Sequence, residues 1–329
     1  MIKVYGLFIG TLIIAGCNQQ PELTKPIEPE VQTVMDEEVQ RAETIPFRVK
    51  LTEFSTGKPL ANQAVKLQSA KGELLETGST DAQGVASFED VALGQEVNVL
   101  LESPIMKISR SFTVDKDNDE LLIETYAQNK AISVPILLQE PELPTGCEIT
   151  SLTAMLNYYG EPVTKEEMAK NFLKKVPLRI EGGKVIGPDP QDAFTGDPAS
   201  AKGVYVFPQA IVKTAEKYAM SVNEQFVASD LSGSSSQEIE KYITSGVPVL
   251  MWITRELAPP VTKNGWWIEG TMEYHKTFQN QHAVVLTGID ESSVTIMDPL
   301  KGKVVHDKNE FFTSYKSLGS YAVALYKES

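Results

Sequence analysis

The sequence predicts two domains of different class, a small all-β sandwich over residues 45–128 and an α+β domain over residues 129–329. Three observations predict this. Residues 45–126 read as short alternating strands broken by turn residues at regular spacing, with no helical stretch. Residues 147–245 carry apolar positions at helical spacing, and from residue 247 onward the pattern returns to strands. A chain of 329 residues is long enough to close two cores.

The elements follow in order. Residues 1–16 place one lysine before an apolar run from Val4 to Ala15, too short to span a bilayer, which predicts a secretory signal. The run Ile14-Ala15-Gly16-Cys17 resembles the lipobox of bacterial lipoproteins. That resemblance implies cleavage before Cys17 and its diacylation, and two acyl chains hold a protein on a membrane face where one does so only marginally. Residues 17–44 are rich in Glu, Gln and Pro without apolar periodicity, and are expected to be a flexible tether. The expected location is therefore extracytoplasmic and membrane-anchored.

In the first domain, strands are expected at residues 45–53, Ala64–Ser69, Val85–Phe88, Val97–Glu102 and Ile108–Val114. Turn residues separate them at residues 55–59, at Lys71-Gly72 and at Asp81-Ala82-Gln83-Gly84. The stretches GKPLANQAVKL (residues 57–67) and TDAQGVASF (residues 80–88) resemble the prealbumin-like domains of carboxypeptidase regulatory segments and bacterial surface proteins. No catalytic grouping falls here, so its expected role is a spacer or a docking surface for an envelope partner.

In the second domain, helices are expected at residues 147–159, 165–173, 208–219 and 236–245. The first carries an apolar stripe of Ile149, Leu152, Met155, Leu156 and Tyr159, and Gly160-Glu161-Pro162 stops it. A buried strand VPVLMWIT (residues 247–254) leads into a long aromatic loop, residues 255–281, that contains Trp266-Trp267. Antiparallel strands at residues 282–289, 294–298, 303–306 and 321–326 finish the chain.

The formal charge of −14 argues against nucleic acid and against electrostatic binding to anionic lipids or wall polymers. With Cys17 acylated, Cys147 is the only free thiol and no internal disulfide is possible. No His, Cys and Asp group has metal-ligand spacing, and no cofactor is expected.

Cys147 follows Pro144-Thr145-Gly146 at a helix start, where the helix dipole and a nearby imidazolium are expected to lower the thiol pKa. Gly146 is expected to leave the backbone open on the side of substrate approach. His282 opens a strand, and Asp298 ends the next one. If residues 290–292 form a three-residue hairpin loop, Ile289 pairs with Ser293 and Asp298 with Val284, and Asp298 shares a face with His282. A two- or four-residue loop puts them on opposite faces. His282 then shuttles a proton, and Asp298 fixes its tautomer. His275 and His306 compete for the base role, but His306 reads as a solvated strand end, and His275, in the Trp-rich loop, is only a minor candidate for a substrate contact. Gln139, eight positions before Cys147, is a candidate oxyanion donor beside the Cys147 N–H, with an ordinary strand residue as the alternative. Asp189, Asp192 and Asp197 fit Asx-turns better than a cation site. Trp266-Trp267 fits either a cleft wall or a packing surface.

Gln139, PTGCEITSLTAMLNYYG (residues 144–160), GVPVLMW (residues 246–252), HAVVLTGI (residues 282–289) and MDPLKG (residues 297–302) resemble, in that order, the bacteriocin-leader-peptidase-like cysteine peptidases of family thirty-nine. So does GPDPQDAFTGDP (residues 187–198) through Gly203-Val204-Tyr205. The resemblance implies a papain-like fold with Cys147 as nucleophile, His282 as base, Asp298 as orienting carboxylate and Gln139 as oxyanion donor. It covers about two hundred residues. In leader peptidases, however, the glutamine lies nearer the cysteine, and the cysteine is flanked as D-C-G. Here the flanks are Gly146 and Glu148, and no transporter domain is present, so cleavage after a double glycine is not implied. The reading is a thiol hydrolase acting on an amide of a peptide or protein. A non-catalytic peptide-binding module and an acyl transferase using the same thiol stand as alternatives.

Overall fold

A computed structural model describes residues 42–54, 56–126 and 132–327. The expectations for the signal, Cys17 and most of the tether lie outside the described residues. So does the junction at 128/129.

Seven strands come first: β1 (Thr44–Glu53), β2 (Ala64–Ser69), β3 (Leu74–Ser79), β4 (Val85–Ala92), β5 (Glu96–Glu102), β6 (Lys107–Thr113) and β7 (Glu120–Thr125). They form a three-stranded sheet in the order β4-β1-β7 and a four-stranded sheet in the order β3-β2-β5-β6. Alternation explains the shared core. Phe47, Val49 and Leu51 of β1 turn inward with Phe88 of β4, and meet Val65 and Leu67 of β2 and Val97 and Val99 of β5. The turn before β4 is held by the Asp81 carboxylate, which accepts from the Gln83 and Val85 N–H groups at 2.8 and 2.9 Å.

Two strands here have no counterpart in the sequence reading. β3 exposes Leu74 and Leu75 at the sheet edge, so it lacks the apolar alternation that marks a half-buried strand. β7 pairs parallel to β1, a long-range partnership that local pattern does not report.

The remaining elements are α1 (Cys147–Tyr158), α2 (Lys165–Glu167, continuing as a π turn over Met168–Phe172), β8 (Lys175–Val176), β9 (Arg179–Glu181), β10 (Lys184–Gly187), β11 (Phe194–Thr195), α3 (Pro208–Val222), β12 (Phe226–Asp230), α4 (Ser236–Thr244), β13 (Val249–Thr254), β14 (Thr262–Ile268), β15 (Tyr274–Phe278), β16 (Gln281–Ile289), β17 (Ser293–Asp298), β18 (Gly302–Asp307), α5 (Lys308–Ser317) and β19 (Ala322–Lys327).

Six strands form one sheet in the order β12-β19-β13-β16-β17-β18. Its centre is covered on both faces. Leu250 and Trp252 of β13 pack with α1 and α3, whereas Val249, Met251 and Ile253 pack with α4 and α5. That is why the central strands read as unbroken apolar runs. α1 is itself surrounded: every residue but Asn157 is buried.

The aromatic segment corrects the sequence reading. Residues 255–281 are not a loop but supply β14 and β15, which join β10 and β9 in a four-stranded sheet ordered β15-β14-β10-β9. Trp266 pairs with His275 and Trp267 with Tyr274 across it. The many polar residues and the Gly270 turn mask the alternation there. α5 is a further helix absent from the sequence reading, capped by Asp307, whose carboxylate accepts from Asn309 and Glu310 N–H.

The first two sheets pack directly on the rest. The Tyr126 hydroxyl donates to the Lys327 carbonyl at 2.8 Å, and its ring meets Tyr159 edge-on at 5.6 Å. No helix among the described residues is long and apolar enough to cross a membrane.

Candidate active site

Cys147 is the first residue of α1, so its N–H has no acceptor within the helix. Gly146 precedes it without a side-chain cap. A Cβ at Gly146 would stand 2.7 Å from the Leu143 Cβ, so the glycine is required by close packing rather than by an opening toward substrate. This corrects the expectation from sequence.

α1 enters the sheet where β17 stops. The β16–β17 pairing runs to Val285 and Met297, and α1 meets β16 beyond it. The Ser151 hydroxyl donates to the Ala283 carbonyl at 3.2 Å. The Ala283 N–H is directed at the Cys147 thiol. Residue 283 follows His282, so the helix start and the imidazole are brought to one place.

The thiol itself is held high. Burial pushes the Cys147 pKa well above its ordinary value, and the Glu148 carboxylate beside it pushes the same way. The thiol donates to Glu148 Oε2 at 3.3 Å. The expected depression of the thiol pKa is therefore not what this arrangement gives. The helix start and the Ala283 N–H favour thiolate, but desolvation and a neighbouring negative charge outweigh them.

Glu148 is wholly buried, and burial raises its pKa to about 7. Its Oε1 accepts from the Val206 N–H at 3.3 Å and the Gln281 amide at 3.1 Å. In the sequence it stands only as a departure from the D-C-G pattern. The signal was present: Glu148 stands four and seven positions before Leu152 and Met155, on the apolar stripe itself.

His282 and Asp298 meet as expected, by a different path. Ile289 pairs with Val294, one residue later than a three-residue loop gives. An extra residue in β16, Thr287, then shifts the register back, so that Val285 faces Met297. Continuing that register sets Asp298 opposite Val284. The two irregularities cancel, and His282 Nε2 donates to Asp298 Oδ1 at 2.8 Å.

A carboxylate only accepts, so Nε2 carries the proton and Nδ1 is the free nitrogen. Nδ1 is buried and has no hydrogen-bond partner among the described residues. Asp298 is pushed up by burial, but its bond to His282, the imidazole's charge and the Leu300 N–H at 2.7 Å outweigh this and hold it below the usual carboxylate range.

Gln139 is 1% exposed and fixed from two sides. Its N–H donates to the Pro299 carbonyl at 2.8 Å, next to Asp298, and its side-chain Nε2 donates to the Pro144 carbonyl at 2.9 Å. One Nε2 hydrogen satisfies Pro144, and the second remains.

Gln139, Thr145 and Cys147 line one cleft of about 390 Å³, whereas His282, Asp298 and Glu148 are not among its lining residues. Trp266 lines it, with its indole N–H donating to the Pro188 carbonyl at 2.7 Å, whereas Trp267 borders a separate pocket with Lys184 above its ring. The tandem tryptophans thus divide between two roles. His275 bonds the Tyr205 hydroxyl at 2.7 Å and lies tilted against Trp266 with ring centroids 4.7 Å apart, and burial lowers its pKa. It buttresses the wall without being among the cleft-lining residues. His306 lies half-buried in β18, away from these residues. Asp189 and Asp197 make turns, accepting from Gln191 and Ala199 N–H at 2.8 and 3.0 Å. Asp192 pairs with Lys174 and Lys213.

Residues 124–323 match the Peptidase_C39 like family. The chain belongs to that family. Among curated relatives, this C39-like chain is 32% identical over 234 residues to the uncharacterized protein YvpB of Bacillus subtilis (strain 168), covering 69% of the chain and 89% of the relative. A crystal structure of a Bacillus anthracis protein assigned as a C39-like peptidase matches with a TM-score of 0.52 and 32% identity, covering 61% of this chain and 99% of that one.

Proposed function

We propose that this C39-like protein is a cysteine peptidase that hydrolyses an amide of a peptide or protein. The observation that carries the reading is the free, buried Nδ1 of His282 beside Ala283, whose N–H points at Cys147, with Nε2 anchored on Asp298.

In this mechanism the Cys147 thiol turns from Glu148, and its proton passes to His282 Nδ1. The thiolate attacks the substrate carbonyl carbon, and the oxyanion accepts from Gln139 Nε2 and the Cys147 N–H. His282 returns the proton to the leaving amine, and the C–N bond breaks to leave a thioester. Water, deprotonated by His282, then releases the acid and restores the thiol. Asp298 keeps Nε2 protonated and stabilises the imidazolium.

The chain is proposed to be secreted and held on the membrane through acylated Cys17. Residues 45–128, read as a prealbumin-like domain, would space the peptidase from the lipid surface or dock an envelope partner. The test is a screen of quenched fluorogenic peptides against the full chain and Cys147→Ala. Cleavage that vanishes in the variant is expected, and cleavage unaffected by it refutes the role of Cys147. Products joined to an added amine would assign acyl transfer instead. For the anchor, Cys17→Ser is expected to release the protein from the membrane fraction.

A further inference from the structure

The chain carries a formal charge of −14. The cleft over Cys147 has the opposite character: Lys202, Arg255 and Lys263 line it, with no aspartate or glutamate among the lining residues. The three come from separate segments, the turn before Gly203, the turn that follows β13, and β14. All three are exposed, and none forms an ion pair with a described residue.

Some cations elsewhere have carboxylate partners and others, such as Lys276 and Lys303, form no ion pair with a described residue, so what sets these three apart is their convergence on one cleft. Lys174 and Lys213 share Asp192, Lys175 has Asp197, and Arg179 has Glu181 and Glu269. Glu256 directly follows Arg255 yet pairs with Lys301. The one carboxylate at the thiol, Glu148, is buried behind the cleft and engaged by Val206 and Gln281. Arg255 acts on the thiol, its charge favouring the thiolate against burial.

Cations of one sign converging in a concave site focus a positive potential there, whatever the net charge. A guanidinium also presents a fork that matches a carboxylate. A neutral or basic segment entering the same cleft would desolvate three cations without compensating them.

We infer that the cleft formed by Lys202, Arg255 and Lys263 selects substrates that place a carboxylate beside the amide to be cleaved. The carboxylate is either an acidic side chain or the free C-terminus of the peptide. The inference rests on the hydrolase reading for its substrate but not for its charge preference, and the two are tested apart.

The first arm uses alkylation of Cys147 in the full chain, followed by mass spectrometry of the peptide that carries it. The ratio of the iodoacetate rate to the iodoacetamide rate is compared with that of a cysteine in an unstructured peptide. The expected ratio is at least about threefold above the reference, falling by about two- to fivefold for each of Lys202→Gln, Arg255→Gln and Lys263→Gln. Arg255→Lys retains it, and about 0.5 M salt removes it. A ratio at or below the reference that the substitutions do not move overturns the inference.

The second arm compares peptides. Faster cleavage of an amidated glutamate peptide than of its glutamine counterpart assigns a side-chain carboxylate. Faster cleavage of a neutral peptide with a free C-terminus than of its amide assigns the terminus. Equal cleavage in both comparisons overturns the inference. Anion-selective alkylation without cleavage of any peptide upholds the cleft's selectivity and counts against the hydrolase reading alone.

Discussion

The Cys147 thiol donates to its own neighbour, Glu148, at 3.3 Å: a negative Glu148 holds the proton on the thiol, the thiol's hydrogen bond favours the carboxylate, and burial opposes charge on either.

Removing the Glu148 charge should free the thiol. Glu148→Gln keeps an acceptor for the Val206 and Gln281 donors while deleting the negative neighbour. The expected outcome is a lower apparent thiol pKa and, at pH 7.5, alkylation by iodoacetamide about tenfold faster, equivalent to about one pKa unit. A variant no faster than the parent would mean that burial alone sets the thiol.

The same carboxyl should leave a mark on stability. Its folded pKa lies near 7, above the ordinary value of 4.5, so folding favours its protonated form. Below about pH 4.5 both states are protonated and no penalty arises. As pH rises toward 7 the unfolded state ionises first and stability is lost, up to about 3 kcal/mol, and the penalty persists above 7. In urea titrations from pH 4 to 8, the midpoint of Glu148→Gln should gain on the parent over that window. A constant difference would place the carboxyl's pKa at its ordinary value.

Asp298 behaves in the opposite sense. Its folded pKa is lowered, so its contribution is present above the unfolded value and is lost as pH falls through the folded one. Asp298→Asn should keep the bond length to His282 but lose the charge and the tautomer it fixes. Hydrolysis of a peptide turned over by Cys147 should fall on the order of a hundred- to ten-thousandfold in kcat/KM. A loss below tenfold would remove Asp298 from the proposed machinery.

Gly146→Ala forces a Cβ to 2.7 Å from Leu143 and 3.2 Å from Pro198. The strain should cost about 1–3 kcal/mol and displace the start of α1. Denaturant midpoints and the Cys147 alkylation rate report the two effects separately. Unchanged values in both would show that the Leu143 turn yields freely.

The sequence made the helices and central strands legible because α1, β13 and β16 carry dense apolar patterns whose period is local. The same property hid β14 and β15, where polar residues and a wide turn dilute the alternation, and β7, whose partner is distant in the chain. The site residues Gln139, Cys147, His282 and Asp298 are legible from residue chemistry, hairpin register and motif order together, and Gln139 and Cys147 do open on one cleft. Glu148 was lost because a charged residue on an apolar stripe reads as an exception until its burial is seen. Lys202, Arg255 and Lys263 were lost because three cations scattered over some sixty positions have no linear signature at all.

The bulge at Thr287 and the turn after Ile289 have a further consequence for how this hairpin tolerates change. Either irregularity alone would turn Asp298 away from His282, so the loss of one residue at either place should be disabling. Losing one residue at both places at once restores a simple hairpin with the pair intact. Descendants of this chain can therefore shorten the hairpin only by a paired step, and a lineage carrying half of it would be selected either to revert or to complete the change.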